Sequence, residues 1–146
     1  MSTKKQSAKG LLFSRQFTQD TVSPFDMFEY DYRTSVIKNP TGEVVFQMDN
    51  VEVPKQWSQI ATDILAQKYF RKAGVPQGDG TTGRETTVKQ VAHRMAHCWR
   101  VWGERNNYFA TPKDAEIFYD ELVYSILNQA CVPNSPQWFN TGLYEV

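Results

Sequence analysis

The sequence predicts a mainly α fold, a helical domain carrying a small β-hairpin, and three observations predict it. Apolar residues recur at helical spacing in three separate stretches, 57–69, 88–102 and 115–130. Two β-branched or apolar runs, SVIK and EVVFQM, flank the turn formers NPTG. Thr111-Pro112-Lys113-Asp114 places a capping hydroxyl, a first-turn proline and an acid in the order that starts a helix.

The 146 residues, 40% apolar and 14% aromatic, suffice for one domain with a real core and no covalent staples. Sixteen basic residues balance sixteen acidic ones, so no net field recruits nucleic acid or a membrane surface. The N-terminal apolar cluster, Leu11-Leu12-Phe13, is too short for a signal-peptide core, and no run reaches membrane-spanning length. A cytoplasmic protein is expected. Cys98 and Cys131 form no ligand or disulfide pattern and read as reduced thiols.

Residues 1–20 carry Lys4, Lys5 and Lys9 with no acid before Asp20 and lack periodicity, which predicts a flexible basic arm. TVSPFDMFEYDYRTS interleaves acids with aromatics and reads as an extended connector packing its rings on the body. The hairpin is expected near 35–53, with Pro40 and Gly42 in its turn. Pro54 then stands where a first helical residue would, ahead of Trp57, Ile60, Ala61, Ile64, Leu65 and Tyr69, although Lys68 falls inside that stripe. QGDGTTG is a loop of turn formers. Its glycines match neither GxGxxG nor P-loop spacing and follow no strand, so the reading is a turn and not a phosphate cradle.

The next helix has two candidate capping boxes, Thr82 with Glu85 and Thr87 with Gln90. Val88, Val91, Ala92, Met95, Cys98, Trp99 and Trp102 make its inner face; His93 and His97 fall opposite and read as a solvated pair, since HExxH is absent and a third ligand is needed to hold a metal. In the third helix Ala115, Phe118, Tyr119, Leu122, Val123, Ile126 and Ala130 face inward, and Glu116, Asp120 and Glu121 are expected as ordinary solvated surface.

The chain then enters CVPNSPQWFNTGLYEV. Pro133 and Pro136 disfavour helix at the residues before them, which predicts an extended segment. Extended Asn134 and Ser135 would present an amide, a hydroxyl and unspent backbone groups to a polar site; the plainer reading makes Asn134 a turn cap, with Trp138 and Phe139 filling a core.

VPNSPQWFNTGL resembles the segment that opens the catalytic barrel in adenosylcobalamin-dependent, class II ribonucleotide reductases. VEVPKQWSQIATDILAQKYFRKAGVP and ETTVKQVAHRMAHCWRVWG resemble the same family's N-terminal helical region, in the same order. The resemblance spans about residues 24–143 and implies domain bounds of 1–20 for the arm, 21–132 for the helical domain and 133–146 for the first segment of an α/β barrel. It implies reduction of the ribose 2′-hydroxyl of ribonucleotides, as diphosphates or triphosphates, by a cysteine thiyl radical generated with adenosylcobalamin, with further thiols supplying electrons. It also implies that Ser135 contacts the phosphate end of the substrate, with Asn134 and Gln137 shaping the loop. The radical and redox cysteines of the family lie downstream of the NSP segment, and neither Cys98 nor Cys131 matches them. The expectation is therefore a non-catalytic N-terminal part, a split subunit or a fragment. It would need a chain carrying the rest of the barrel, would be inactive alone, and is open to homo-oligomer formation once assembled. The alternative is a helical interaction or regulatory module derived from the reductase and binding a partner through Trp138, Phe139 and Tyr144. Nucleic-acid binding through the lysine arm gains little from zero net charge.

Overall fold

Asn39, Pro40, Thr41 and Gly42 close a β-hairpin as their chemistry dictates. The computed structural model describes residues 9–144. The Asn39 side-chain carbonyl accepts from the amides of Thr41 and Glu43, at 3.1 and 2.9 Å, and Gly42 takes a φ of +88°, where a side chain would be strained. Strands β1 (Tyr30–Lys38) and β2 (Val44–Pro54) pair antiparallel. A bulge carries the register from Arg33 opposite Val51 to Ser35 opposite Met48, and Asn50 sits at φ +56°. The extra residue moves the buried face of β2 from Met48 to Val51 and Val53. β1 starts at Tyr30, not Ser35, so part of the predicted connector belongs to the sheet. What remains of it is a 3-10 turn, Pro24–Met27, whose Phe25 carbonyl accepts from the Tyr30 hydroxyl at 2.8 Å.

Pro54 ends β2 instead of starting a helix; a strand end tolerates its missing amide as well as a first helical turn does. Ser58 is the cap, accepting from the Ala61 amide at 3.1 Å at the head of α1 (Gln59–Ile64). α1 runs into a π-helical turn, Leu65–Tyr69, closed by the Phe70 amide on the Leu65 carbonyl at 3.0 Å. The wider turn explains the imperfect stripe: Leu65, Ala66 and Phe70 are buried and Lys68 is turned out. The glycine-rich stretch forms the tip of a tiny antiparallel ribbon between β3 (Val75–Pro76) and β4 (Thr82–Gly83).

α2 (Val88–Arg105) is capped by the second candidate box, Thr87 with Gln90; Glu85, of the first, is buried in an ion pair described below. α3 (Pro112–Leu127) opens at Thr111 as read from sequence, and that cap stabilises it by about 1 kcal/mol. Val88, Val91, Ala92, Met95 and Ala96 of α2 meet Val123, Ile126 and Leu127 of α3 under Met48, Val51 and Val53 of the hairpin. The Trp57 indole joins α3 to the β2–α1 corner by donating to the Leu127 carbonyl at 2.7 Å.

Four expectations are corrected. Among the described residues, helix of all kinds and strand occupy 40% and 20%, with two small antiparallel sheets and four α-helices, so the class is mixed α and β and not mainly α. The tail is no extended barrel strand: among the described residues it forms α4 (Ser135–Asn140), with Pro136 in the first turn, where a proline costs a helix nothing. His93 and His97 are half-buried and not a fully solvated pair. They stack at 5.2 Å in the seam with α3, and His93 Nδ1 lies 2.7 Å from the Tyr119 hydroxyl; burial, then His97, holds the His93 pKa below its usual value.

The fourth concerns residues 11–20 of the predicted arm, which are fastened to α3 and the turn before it; Met1–Ala8 lie outside the described residues. The Leu11 amide donates to the Tyr108 carbonyl at 2.7 Å, the Leu11 carbonyl accepts from Ala110 at 2.9 Å, and the Phe13 ring packs on Phe109 and Phe118. The acids expected as bare surface are the anchors: Asp120 pairs with Arg15 at 2.7 Å, Glu116 with Arg15 at 3.3 Å, and Glu121 accepts from the Thr18 amide at 2.9 Å.

Candidate functional site

The site grows from the way α4 is held. Arg94, in the middle of α2, is 1% exposed, and its guanidinium points at the tail. Its Nε and Nη2 edge grips the buried Glu85 carboxylate at 2.8 and 3.5 Å. Nη1 donates to the Thr141 carbonyl at 2.9 Å, and Nη2 also reaches the Trp138 and Tyr69 carbonyls at 2.8 and 3.2 Å. One cation thus satisfies carbonyls at the ends of both α4 and the π-turn. Glu85 is steadied in turn by the Arg71 amide at 2.8 Å. The tail then passes so close to α2 that a β-carbon on Gly142 would stand 2.1 Å from the Arg94 carbonyl oxygen, and Gly142 has φ +80°. Glycine is required there on both counts.

This clamp fixes the three residues expected to bind substrate, and it separates them. Ser135 and Asn134 line a groove of about 420 Å³ with Ala61, Ile64, Leu65, Tyr69, Val132, Pro133 and Trp138. The Ser135 hydroxyl lies 3.0 Å from that of Tyr69. Asn134 is the N-cap of α4 by position, but its side chain makes no capping bond. Its backbone carbonyl accepts from the Gln137 and Trp138 amides, so those two amides are spent inside α4 and unavailable to an anion. Gln137 lines a different groove, of about 310 Å³, with Cys98, Trp102, Pro136, Thr141 and Tyr144. Its side-chain oxygen accepts from the Thr141 hydroxyl at 2.6 Å and braces the turn after α4.

Trp138 is buried; its indole donates to the Pro133 carbonyl at 2.7 Å and its ring stacks on Tyr69 at 5.3 Å. It cannot serve as a partner-binding aromatic, whereas Phe139 and Tyr144 are 42% and 98% exposed. The sequence reading missed Arg94, Glu85 and Tyr69. The available signal for Arg94 was its position, three residues after Val91 and one before Met95, inside the apolar stripe.

Among the described residues no cluster of three His, Cys, Asp or Glu side chains could hold a metal ion, and no helix is long and apolar enough to cross a membrane. His93 Nδ1 lies against the Tyr119 hydroxyl and its ring stacks on His97, and the two grooves around the tail, of about 420 and 310 Å³, are far smaller than a cobalamin. The described residues do not fit a cobalamin.

A family model described as class II vitamin B12-dependent ribonucleotide reductase, N-terminal region, matches residues 31–129, a span that stops before Asn134. A protein named vitamin B12-dependent ribonucleotide reductase from Bradyrhizobium diazoefficiens is 43% identical over 89% of this chain and 13% of its own length. Relatives of the same name from Agrobacterium fabrum and Streptomyces coelicolor are each 42% identical, over 89% and 94% of this chain. The chain spans 12% and 14% of their respective lengths.

Proposed function

We propose, from the premise that this chain belongs to the class II vitamin B12-dependent ribonucleotide reductase family, that it forms the non-catalytic N-terminal part of such a reductase and supplies part of its substrate site. The carrying observation is the placement of Ser135 and Asn134 on one groove, with an amide side chain free of capping and a hydroxyl at the rim. Ser135 donates to a phosphate oxygen of the ribonucleotide, and Asn134 adds its amide N–H. Gln137 acts indirectly, by bracing the Thr141 turn.

Thiyl radical chemistry and adenosylcobalamin belong to the rest of the reductase. That remainder supplies the radical cysteine, the redox thiols and the cofactor pocket, whether on the same polypeptide or on a partner chain. Bound there, adenosylcobalamin would supply the radical chemistry, while the residues described here would bind and orient the nucleotide. Cys98 is buried and Cys131 exposed, and neither matches the redox thiols of the family.

The test is ribonucleotide reduction by a reductase assembled from this segment and the remaining barrel, with adenosylcobalamin supplied. Ser135→Ala should raise KM for the ribonucleotide about tenfold, the loss expected for one hydrogen bond to a charged group. Unchanged kinetics would remove Ser135 from the site and favour the interaction module, which would then act through exposed Phe139 and Tyr144.

A further inference from the structure

The residue left without a role by the substrate reading is Tyr69, and its placement is unusually determined. It is the last residue of the π-helical turn, a geometry that costs hydrogen-bond quality and recurs at functional sites. Its ring stacks on Trp138 at 5.3 Å with an interplanar angle of 22°, and meets Phe139 at 5.2 Å and 52°. Its carbonyl is held by Arg94. With backbone and ring both fixed, its hydroxyl has one place to be, 3.0 Å from Ser135 Oγ.

We infer that Tyr69 is a positioning residue that sets the direction of the Ser135 hydroxyl for a phosphate oxygen, an inference that rests on the reading of Ser135 as a substrate contact. Each hydroxyl has one proton to give and can accept two. If Ser135 donates to Tyr69, its only proton is spent. An anionic phosphate oxygen accepts and cannot donate, so its arrival selects the other arrangement, Tyr69 donating to Ser135 and Ser135 donating to phosphate. A hydroxyl that accepts a hydrogen bond is polarised into a better donor. Without the phenol, Ser135 is a free rotor that must be ordered at each binding event. Asn134 contributes beside it without passing through Tyr69.

The experiment is a double-mutant cycle in the assembled, adenosylcobalamin-loaded reductase, with KM and kcat for the ribonucleotide and thermal midpoints measured for Tyr69→Phe, Ser135→Ala and the pair. Tyr69→Phe keeps the ring that packs on Trp138 and deletes only the hydroxyl. It should raise KM about threefold to tenfold, leave kcat within about twofold, and add nothing in the Ser135→Ala background. If Ser135→Ala raises KM and Tyr69→Phe does not, the positioning role is overturned and the Ser135 contact stands. If Tyr69→Phe raises KM equally with and without Ser135, Tyr69 acts through packing and the inference is likewise overturned. If Ser135→Ala changes nothing, the substrate reading falls first and takes the role of Tyr69 with it.

Discussion

Replacing Arg94 by Met keeps the unbranched stem and removes the guanidinium with its charge, and the structure allows the loss to be worked out in parts. Glu85 is left as a carboxylate with 3% side-chain exposure, supported by the Arg71 amide alone among the bonds described above. Three carbonyls, of Tyr69, Trp138 and Thr141, lose a charged donor. Breaking one side of a buried pair costs about 3–5 kcal/mol. The carbonyls can recover water only if α4 lifts away from α2, so the variant should trade part of that loss for local undocking of the tail. In urea, with a slope of about 2 kcal/mol per M, the midpoint should fall by roughly 2 M, and hydrogen exchange at residues 138–142 should accelerate more than in α3. Glu85→Gln is the control. Its one amide oxygen cannot accept from both Arg94 and the Arg71 amide, and Arg94 is left a buried cation, so it should cost a similar amount, about 3–5 kcal/mol, while the carbonyls stay gripped and α4 stays protected. Equal tail exchange in the two variants, or a tail that stays protected in Arg94→Met, would refute the idea that this guanidinium is what holds α4 in place.

Gly142→Ala should destabilise the tail by at least about 1–2 kcal/mol, the cost of a left-handed backbone, and more through the contact with the Arg94 carbonyl; denaturant melts with hydrogen exchange read at residues 138–142 would detect it. Because His93 is held below its ordinary value of 6.5, the unfolded chain binds the extra proton more readily than the folded one. Its contribution is therefore complete above about pH 6.5 and is lost as pH falls through the depressed folded value, and His93→Gln should flatten the urea midpoint across that window. Thr87→Ala removes the capping hydroxyl of α2 and should cost about 1 kcal/mol by chemical denaturation, while Thr82→Ala, at the unused box, should change the midpoint by less than about 0.5 kcal/mol.

Local chemistry was legible because it acts over a few residues. The Thr111-Pro112 start, the NPTG turn and the Thr87–Gln90 box depend on groups within about one turn of one another, and the structure uses each as written. What stayed hidden was decided at long range. Arg15 and Asp120 are 105 residues apart in sequence, and nothing near either predicts that a lysine-bearing arm will find its anchors among carboxylates that look solvated. Pro54 is compatible with a strand end and with a first helical turn, and pairing with Tyr30 decided between them. The fold class was misjudged for a related reason: strand residues 30–33 alternate tyrosines with charged residues, Asp31 and Arg33, a pattern of a half-exposed hairpin that apolar counting passes over.

The tail shows how such an error carries into function. Reading Pro133 and Pro136 as helix breakers made 133–146 look like a strand with idle donors and acceptors, and a substrate site seemed to follow from backbone need. The structure removes that need, since α4 uses its own amides and Arg94 takes its carbonyls. What the proposal keeps is narrower: two side chains, Ser135 and Asn134, on a groove beside a helix held by a buried ion pair. A site built this way depends on rigidity more than on exposed backbone. Softening the Arg94 clamp in an assembled reductase should therefore raise the substrate KM together with hydrogen exchange in α4. A loosened α4 with an unchanged KM would mean that Ser135 is held by the barrel and not by this domain.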